Sequence, residues 1–259
     1  VVAGCKNSKL PSDVRIIGTS AFEGCENLPQ INIHANITTI KANAYYGCSK
    51  VKTLNIPASV TFIDDNAFGA CSSIESIVVD QYNKVYDSRK NCNAVIEKAT
   101  NTLVVGCMNT NIPSEITTIG NYAFCGCTGL TDIKLPVALS LVKKYAFFNC
   151  SNLTSVTIPA NVKGLGELAF GNCTALANIY AEPLTPPVIN PTVTAFSNYT
   201  TPVCVTCESL SAYKNDAAWG QFSNLYCNAV FHPFEATICP EEEYVWYWNN
   251  KSYRKAGVY

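Results

Sequence analysis

The chain has 259 residues with 18 Lys plus Arg against 19 Asp plus Glu, a formal net charge of −1, and only 14% charged residues. Lys and Arg are scattered, so the chain lacks the basic surface that phosphate backbones or anionic lipid heads require, which excludes nucleic-acid binding and electrostatic membrane binding. No apolar run approaches the roughly 18 residues of a bilayer-spanning helix, so membrane insertion by this chain is not expected.

In chain order, Gly4-Cys5-x-Asn7 and Pro11 come first and reappear as Gly106-Cys107-x-Asn109 and Pro113, an offset of 102 residues. Residue 1 thus lies partway into a copy, and an excised piece of a longer protein is expected. A shorter period follows. Ala21-Phe22…Cys25, Ala44-Tyr45…Cys48 and Ala67-Phe68…Cys71 are 23 residues apart, and after a gap of 56 the phrase returns at Ala123, Ala146 and Ala169 with the same step. A fixed period of this size predicts a solenoid, in which each coil buries its apolar face only against its neighbours.

Each coil reads as one short strand and one tight turn. In the cleanest copy Leu153, Val156 and Ile158 are spaced to point inward from a strand that Pro159 ends, as Pro57 and Pro136 do in theirs. A second short apolar run, as in Val60…Ile63 or Ile116…Ile119, leads into Ala-Phe-x-x-Cys, expected as a single helical turn that drives the ring into the core. Each buried large side chain contributes roughly 1.5–3 kcal/mol. A charge at Ile133 or Phe147 is expected to open a coil, and one at Lys134 to do little.

The gap of 56 is one coil plus 33 residues. This insert, residues 80–112, contains Ala94-Val95-Ile96 and Leu103-Val104-Val105 joined through a polar Lys98–Thr102 connection, which predicts a β-hairpin. Beyond residue 182, Pro183, Pro186 and Pro187 interrupt the period, and Ala195-Phe196 falls 26 residues after Ala169 instead of 23. Residues 183–231 are expected to cap the stack, with a short helical pattern from Ser209 to Phe222, because solenoids need their open ends closed. Residues 232–259 read as a linker and a partial β-module rich in aromatics: Tyr244, Trp246, Tyr247, Trp248, Tyr253 and Tyr259.

The unit L-x-x-I-x-I-P-x-x-V-x-x-I-x-x-x-A-F-x-x-C resembles the BspA-type leucine-rich repeat family, also called the Treponema-pallidum-type repeat, over about residues 4–180. The resemblance implies an α/β, right-handed leucine-rich-repeat solenoid with short strands and short helical turns. It implies a secreted or cell-surface bacterial protein with an adhesive role and no enzymatic activity. No catalytic motif belongs to the family, so no functional residue carries over.

Fourteen cysteines invite a disulfide framework, yet six of them (Cys25, Cys48, Cys71, Cys127, Cys150, Cys173) occupy one slot in successive coils. Stacked side chains point the same way, so these are expected to be free, buried thiols. Cys204 and Cys207 form a C-x-x-C without the second pair a zinc site needs, and Cys207–Cys227 is the preferred cap disulfide, with Cys239 unassigned. The chain has two histidines, His34 and His232, and neither has a nucleophile or carboxylate partner in the pattern. His34 takes the slot of Pro57 and is expected at a strand end on the surface. No phosphate-binding loop or calcium-loop spacing is present, so no cofactor or metal is expected.

Function then falls to the surface. The residues between core positions form two outward columns: Gln30, Thr53, Ser76, Asp132, Ser155 and Asn178, and Asn32, Asn55, Val78, Lys134, Thr157 and Tyr180. They are mostly polar, uncharged and able to hydrogen-bond, which suits an extended interface for a host or neighbouring-cell protein. A glycan-binding module, using this face or the aromatic tail, and a structural stalk are the alternatives.

Overall fold

The computed structural model describes residues 10–228 except residue 191. The Gly4-Cys5 segment, His232, Cys239 and the aromatic tail lie outside them. The chain winds as a β-solenoid whose coils each lay down a long rung, a short rung and a turn. The short rungs Ile16–Ile17, Thr39–Ile40 and Phe62–Ile63 pair in parallel at a register of 23, as do Thr118–Ile119, Leu141–Val142 and Gly164–Leu165. Among the long rungs, Thr53–Ile56 pairs with Ser76–Val79, and Ser155–Ile158 with Asn178–Ala181. Alternate side chains enter the core, with Leu54, Ile56, Val156 and Ile158 all buried.

Two of the expected strands do not form. Residues 30–33 and 132–135 have no ladder partners of strand type, and Ile133 is only half-buried. Each is the first described long rung of its half, so it has a neighbour on one side at most.

The Ala-Phe-x-x-Cys segment is not helical, so the short helical turn expected in each coil is absent and the fold is a β-solenoid with little helix. The residue before Ala is left-handed in all six coils (Ser20, Asn43, Asn66, Tyr122, Tyr145 and Leu168, φ between 44° and 58°). So is the residue before Cys: Gly24, Gly47, Ala70, Gly126, Asn149 and Asn172. Left-handed residues cannot continue a right-handed helix, and Gly and Asn recur before Cys because they tolerate this region. The turn's amides point along the solenoid instead: Phe22 N–H donates to the Ala44 carbonyl at 2.7 Å, and Phe147 N–H to Ala169 at 2.7 Å. Among the described residues the α-helix is Leu210–Asn215 in the cap, with single 3-10 turns at Arg89–Asn91 in the insert and Trp219–Gln221 in the cap.

These turns stack the core rings. Phe22, Tyr45 and Phe68 lie parallel at 4.9 and 5.6 Å, and Phe124, Phe147, Phe170 and Phe196 continue at 4.9, 5.0 and 5.4 Å. The slot cysteines sit below them. Cys48, Cys71, Cys150 and Cys173 each direct Sγ at the ring residue's carbonyl in the preceding coil, at 3.1–3.3 Å. The slot therefore calls for a small apolar group that can still donate.

The insert divides the molecule. Ala94–Glu97 and Thr102–Gly106 form the predicted hairpin, and a further strand, Tyr86–Asp87, pairs antiparallel to its first arm. The second arm continues in parallel onto Thr118–Ile119. Val95 and Val105 face the core of residues 17–79, while Ala94, Ile96 and Leu103 face the core of residues 112–222. The hairpin is a septum between two cores. On the turn side the halves still meet, through Ala70 N–H to the Cys125 carbonyl (2.7 Å) and Asn121 Nδ2 to the Asp65 carboxylate (3.1 Å).

Candidate functional site

All twelve residues of the predicted face are exposed or half-buried. Parallel register aligns Thr53 with Ser76, Asn55 with Val78, Ser155 with Asn178, and Thr157 with Tyr180. The columns are not continuous. Between Ser76–Val79 and residues 131–135 the insert caps the rung with side chains: Asn93 Oδ1 accepts the Ile77 N–H (3.4 Å), Ser88 Oγ donates to the Ile77 carbonyl (3.2 Å) and Asn109 Nδ2 to that of Glu75 (3.1 Å). Gln30, Asn32, Thr53, Asn55, Ser76 and Val78 therefore lie on one side of the break. Asp132, Lys134, Ser155, Thr157, Asn178 and Tyr180 lie on the other.

At the break a shallow cleft of about 280 Å³ opens between Met108–Ile112 and Thr131–Lys134. Its lining residues include Met108, Asn109 and Asn111 from the insert and Asp132 and Lys134 from the face. Sequence reasoning assigned Asp132 and Lys134 to the face and missed the insert residues opposite them, because their nearness depends on how the insert folds back.

The face also runs further than the repeats. Val203–Val205 and Leu225–Cys227 extend the long-rung sheet, placing Cys204 beside Tyr180 and Tyr226 beside Cys204. Tyr226 is 41% exposed, whereas Cys204 is 3% exposed between its two tyrosine neighbours. Burial pushes the Cys204 thiol up, and its hydrogen bond to Tyr226 works against that rise. Offsets of 24 and 22 conceal these rungs, although Tyr226 stands two full periods from Tyr180.

The C-x-x-C is split between two roles. Cys207 is disulfide-bonded to Cys227 with Cα atoms 4.8 Å apart, while Cys204 stays a thiol on the face. Among the described residues, no three or more His, Cys, Asp or Glu side chains gather to hold a metal ion. His34 Nδ1 accepts the Asn36 N–H at 3.3 Å, a turn-forming contact on a half-buried ring. None of the helices formed by the described residues is long and apolar enough to cross a membrane.

Comparison with solved structures finds the same fold. The pneumococcal vaccine antigen PcpA is 18% identical, with 85% of this chain and 67% of that one covered at a TM-score of 0.54. A leucine-rich repeat protein of Eubacterium ventriosum is 21% identical, with 83% and 71% covered at 0.54. A leucine rich cell surface protein of Faecalibacterium prausnitzii is 20% identical, with 86% and 59% covered at 0.53. No curated protein matches the sequence. The BspA type leucine rich repeat region matches residues 3–101 and 104–217 in six copies, and the chain belongs to that family.

Proposed function

We propose that the chain is a non-enzymatic interaction module of a bacterial cell surface that binds a partner protein through the outward columns of its long rungs. The observation carrying this reading is the registered run of half-buried Ser155, Thr157, Asn178 and Tyr180, continued past buried Cys204 by exposed Tyr226. Tyrosines supply contact area with few rotors to freeze, and the small polar neighbours supply hydrogen bonds without burying charge. An exported location is supported by the family and by the described cell-surface location of one protein of like fold.

A glycan ligand is a second reading, supported by the cleft lined by Met108, Asn109, Asn111, Asp132 and Lys134, side chains whose donors and acceptors suit hydroxyl groups. The purified chain is to be tested against immobilised matrix proteins, mucins and glycans at physiological salt. Alanine at Asp132, Lys134, Thr157 and Tyr180 should reduce a saturable signal by tenfold or more without shifting Tm. Binding that survives all four rules this face out, and a folded chain that captures nothing favours a stalk.

A further inference from the structure

The short-rung ladder lacks one rung. In the second coil the carbonyl of Thr38 accepts N–H groups of Thr61 (2.9 Å) and Phe62 (3.2 Å), and that of Ile40 accepts Asp64 N–H (2.9 Å). The same pair of carbonyls is used at Arg15 and Ile17, at Thr117 and Ile119, and at Ser140 and Val142. Thr61 and Ile63 are the equivalent pair in the third coil, and among the described residues neither carbonyl accepts a hydrogen bond. The rung that should follow, 23 residues on, contains Tyr86. Asn83 diverts it into the insert, and only the Tyr86 hydroxyl returns, accepting the Ile63 N–H at 3.0 Å.

The missing rung leaves a cavity of about 370 Å³, within the range that holds a ligand. Phe68, Val105 and Phe124 line it together with polar residues, and it falls where the ring stack breaks between Phe68 and Phe124. The lining also includes the acidic Asp64 and Glu97 and the basic Lys143. Each carboxylate here has a partner: Asp65 is held by Asn121 and Lys144, Asp64 Oδ1 accepts the Asp65 N–H at 2.9 Å, and Glu97 Oε2 accepts the Thr100 hydroxyl.

Open acceptors two residues apart ask for the two N–H groups of an extended chain. In the preceding coils those donors bracket one inward side chain, as Phe62 and Asp64 bracket Ile63. We propose that this gap is a β-addition site for an extended segment of a partner protein, laid parallel to Phe62–Ile63 so that its main chain displaces the Tyr86 hydroxyl from the Ile63 N–H, with an apolar side chain in the cavity and basic residues flanking it. Main-chain hydrogen bonds then supply affinity, and the pocket and its charged lining supply selectivity.

The test uses the intact chain and a fluorescent Thr-Lys-Ile-Lys-Thr peptide followed by polarisation. Saturable binding is expected. Methylating both lysine amide nitrogens, or replacing both lysines by Glu, should weaken it at least tenfold. Val104→Phe should close the cavity and abolish uptake, and Asp64→Asn with Glu97→Gln should weaken binding about tenfold and flatten its salt dependence. Melting curves verify that each variant is folded. The site is overturned if the folded chain takes up no peptide, if the methylated or acidic peptide binds as tightly, or if Val104→Phe binds normally. Self-association abolished by Val104→Phe, without peptide uptake, assigns the edge to a second copy and likewise overturns the proposal. Alanine at Thr157 and Tyr180 should leave the peptide signal intact, so the long-rung face and this edge stand or fall separately.

Discussion

The two halves of the solenoid end their stacks in opposite ways. Residues 112–228 close under an aromatic lid: Trp219 and Phe222 meet Phe196 edge-on at 5.7 and 5.5 Å, and the Trp219 indole N–H donates to the Pro187 carbonyl at 2.8 Å. Tyr213, fully buried, donates to the Pro183 carbonyl at 3.0 Å, and Cys207–Cys227 ties the last rungs. Residues 10–80 close under a polar plug. Asn83, 1% exposed, donates to the Pro57 and Val60 carbonyls at 2.8 and 2.9 Å and accepts the N–H groups of Val85 and Tyr86. An outer end must shed water completely, so it is sealed with apolar area. An inner end must turn the chain and pass the stack on, so it is built from directional hydrogen bonds and keeps an opening.

The comparison breaks first at the rings. Phe147→Ala should cost about 3–5 kcal/mol in chemical denaturation, since Phe147 is fully buried between Phe124 and Phe170 and no coil can collapse alone. A loss below about 1 kcal/mol would mean that the second core repacks.

The two closures should then separate. Asn83→Ala strands the Pro57 and Val60 carbonyls and the Val85 and Tyr86 amides, each worth about 1–3 kcal/mol when left unpaired. Hydrogen exchange should show the opening confined to residues 10–110, and uniform loss of protection would deny the plug its separate role. Reducing Cys207–Cys227, which encloses a separation of 20 residues, should cost about 3 kcal/mol and loosen the opposite end.

A smaller effect is expected at high pH. Burial pushes the Cys125 thiol up to about 11 and those of Cys127 and Cys173 up to about 12, from an unfolded value near 9. In that window the folded thiols stay protonated while the unfolded ones ionise. The contribution of these thiols is therefore constant below about pH 8.5 and is lost as pH rises from there toward 12. Cys173→Ala should make the fall shallower, and an unchanged pH slope would remove that thiol from the account.

On the face, Lys134→Ala should change stability by less than about 0.5 kcal/mol, whatever it does to binding, because Lys134 is exposed.

Much of this was legible in the residues because the structure is repetitive. A period of 23 places every rung one coil from its neighbour, so inward Val156 and outward Thr157 follow from alternation alone. The hairpin followed from two β-branched runs around a polar turn, and the free slot thiols from stacking. The turn was misread. Ala-Phe-x-x-Cys has a helix-compatible composition, and only the backbone reveals that left-handed Tyr122, Tyr145 and Leu168 are held there by amides bonded to the next coil. Asn83 was equally opaque: it stands one period after Val60, and nothing local says that a polar side chain there bends the chain out of the stack.

By itself, then, the sequence determined the solenoid, its period, the family and the inward and outward columns, because those properties repeat and each coil meets a copy of itself. The division of the core by the insert, the interruption of the face at Asp132 and Lys134, and the Thr61 and Ile63 carbonyls left without a donor among the described residues emerge only from the folded chain. Those features arise where unlike segments meet, and their contacts depend on where a non-repeating chain is carried in space.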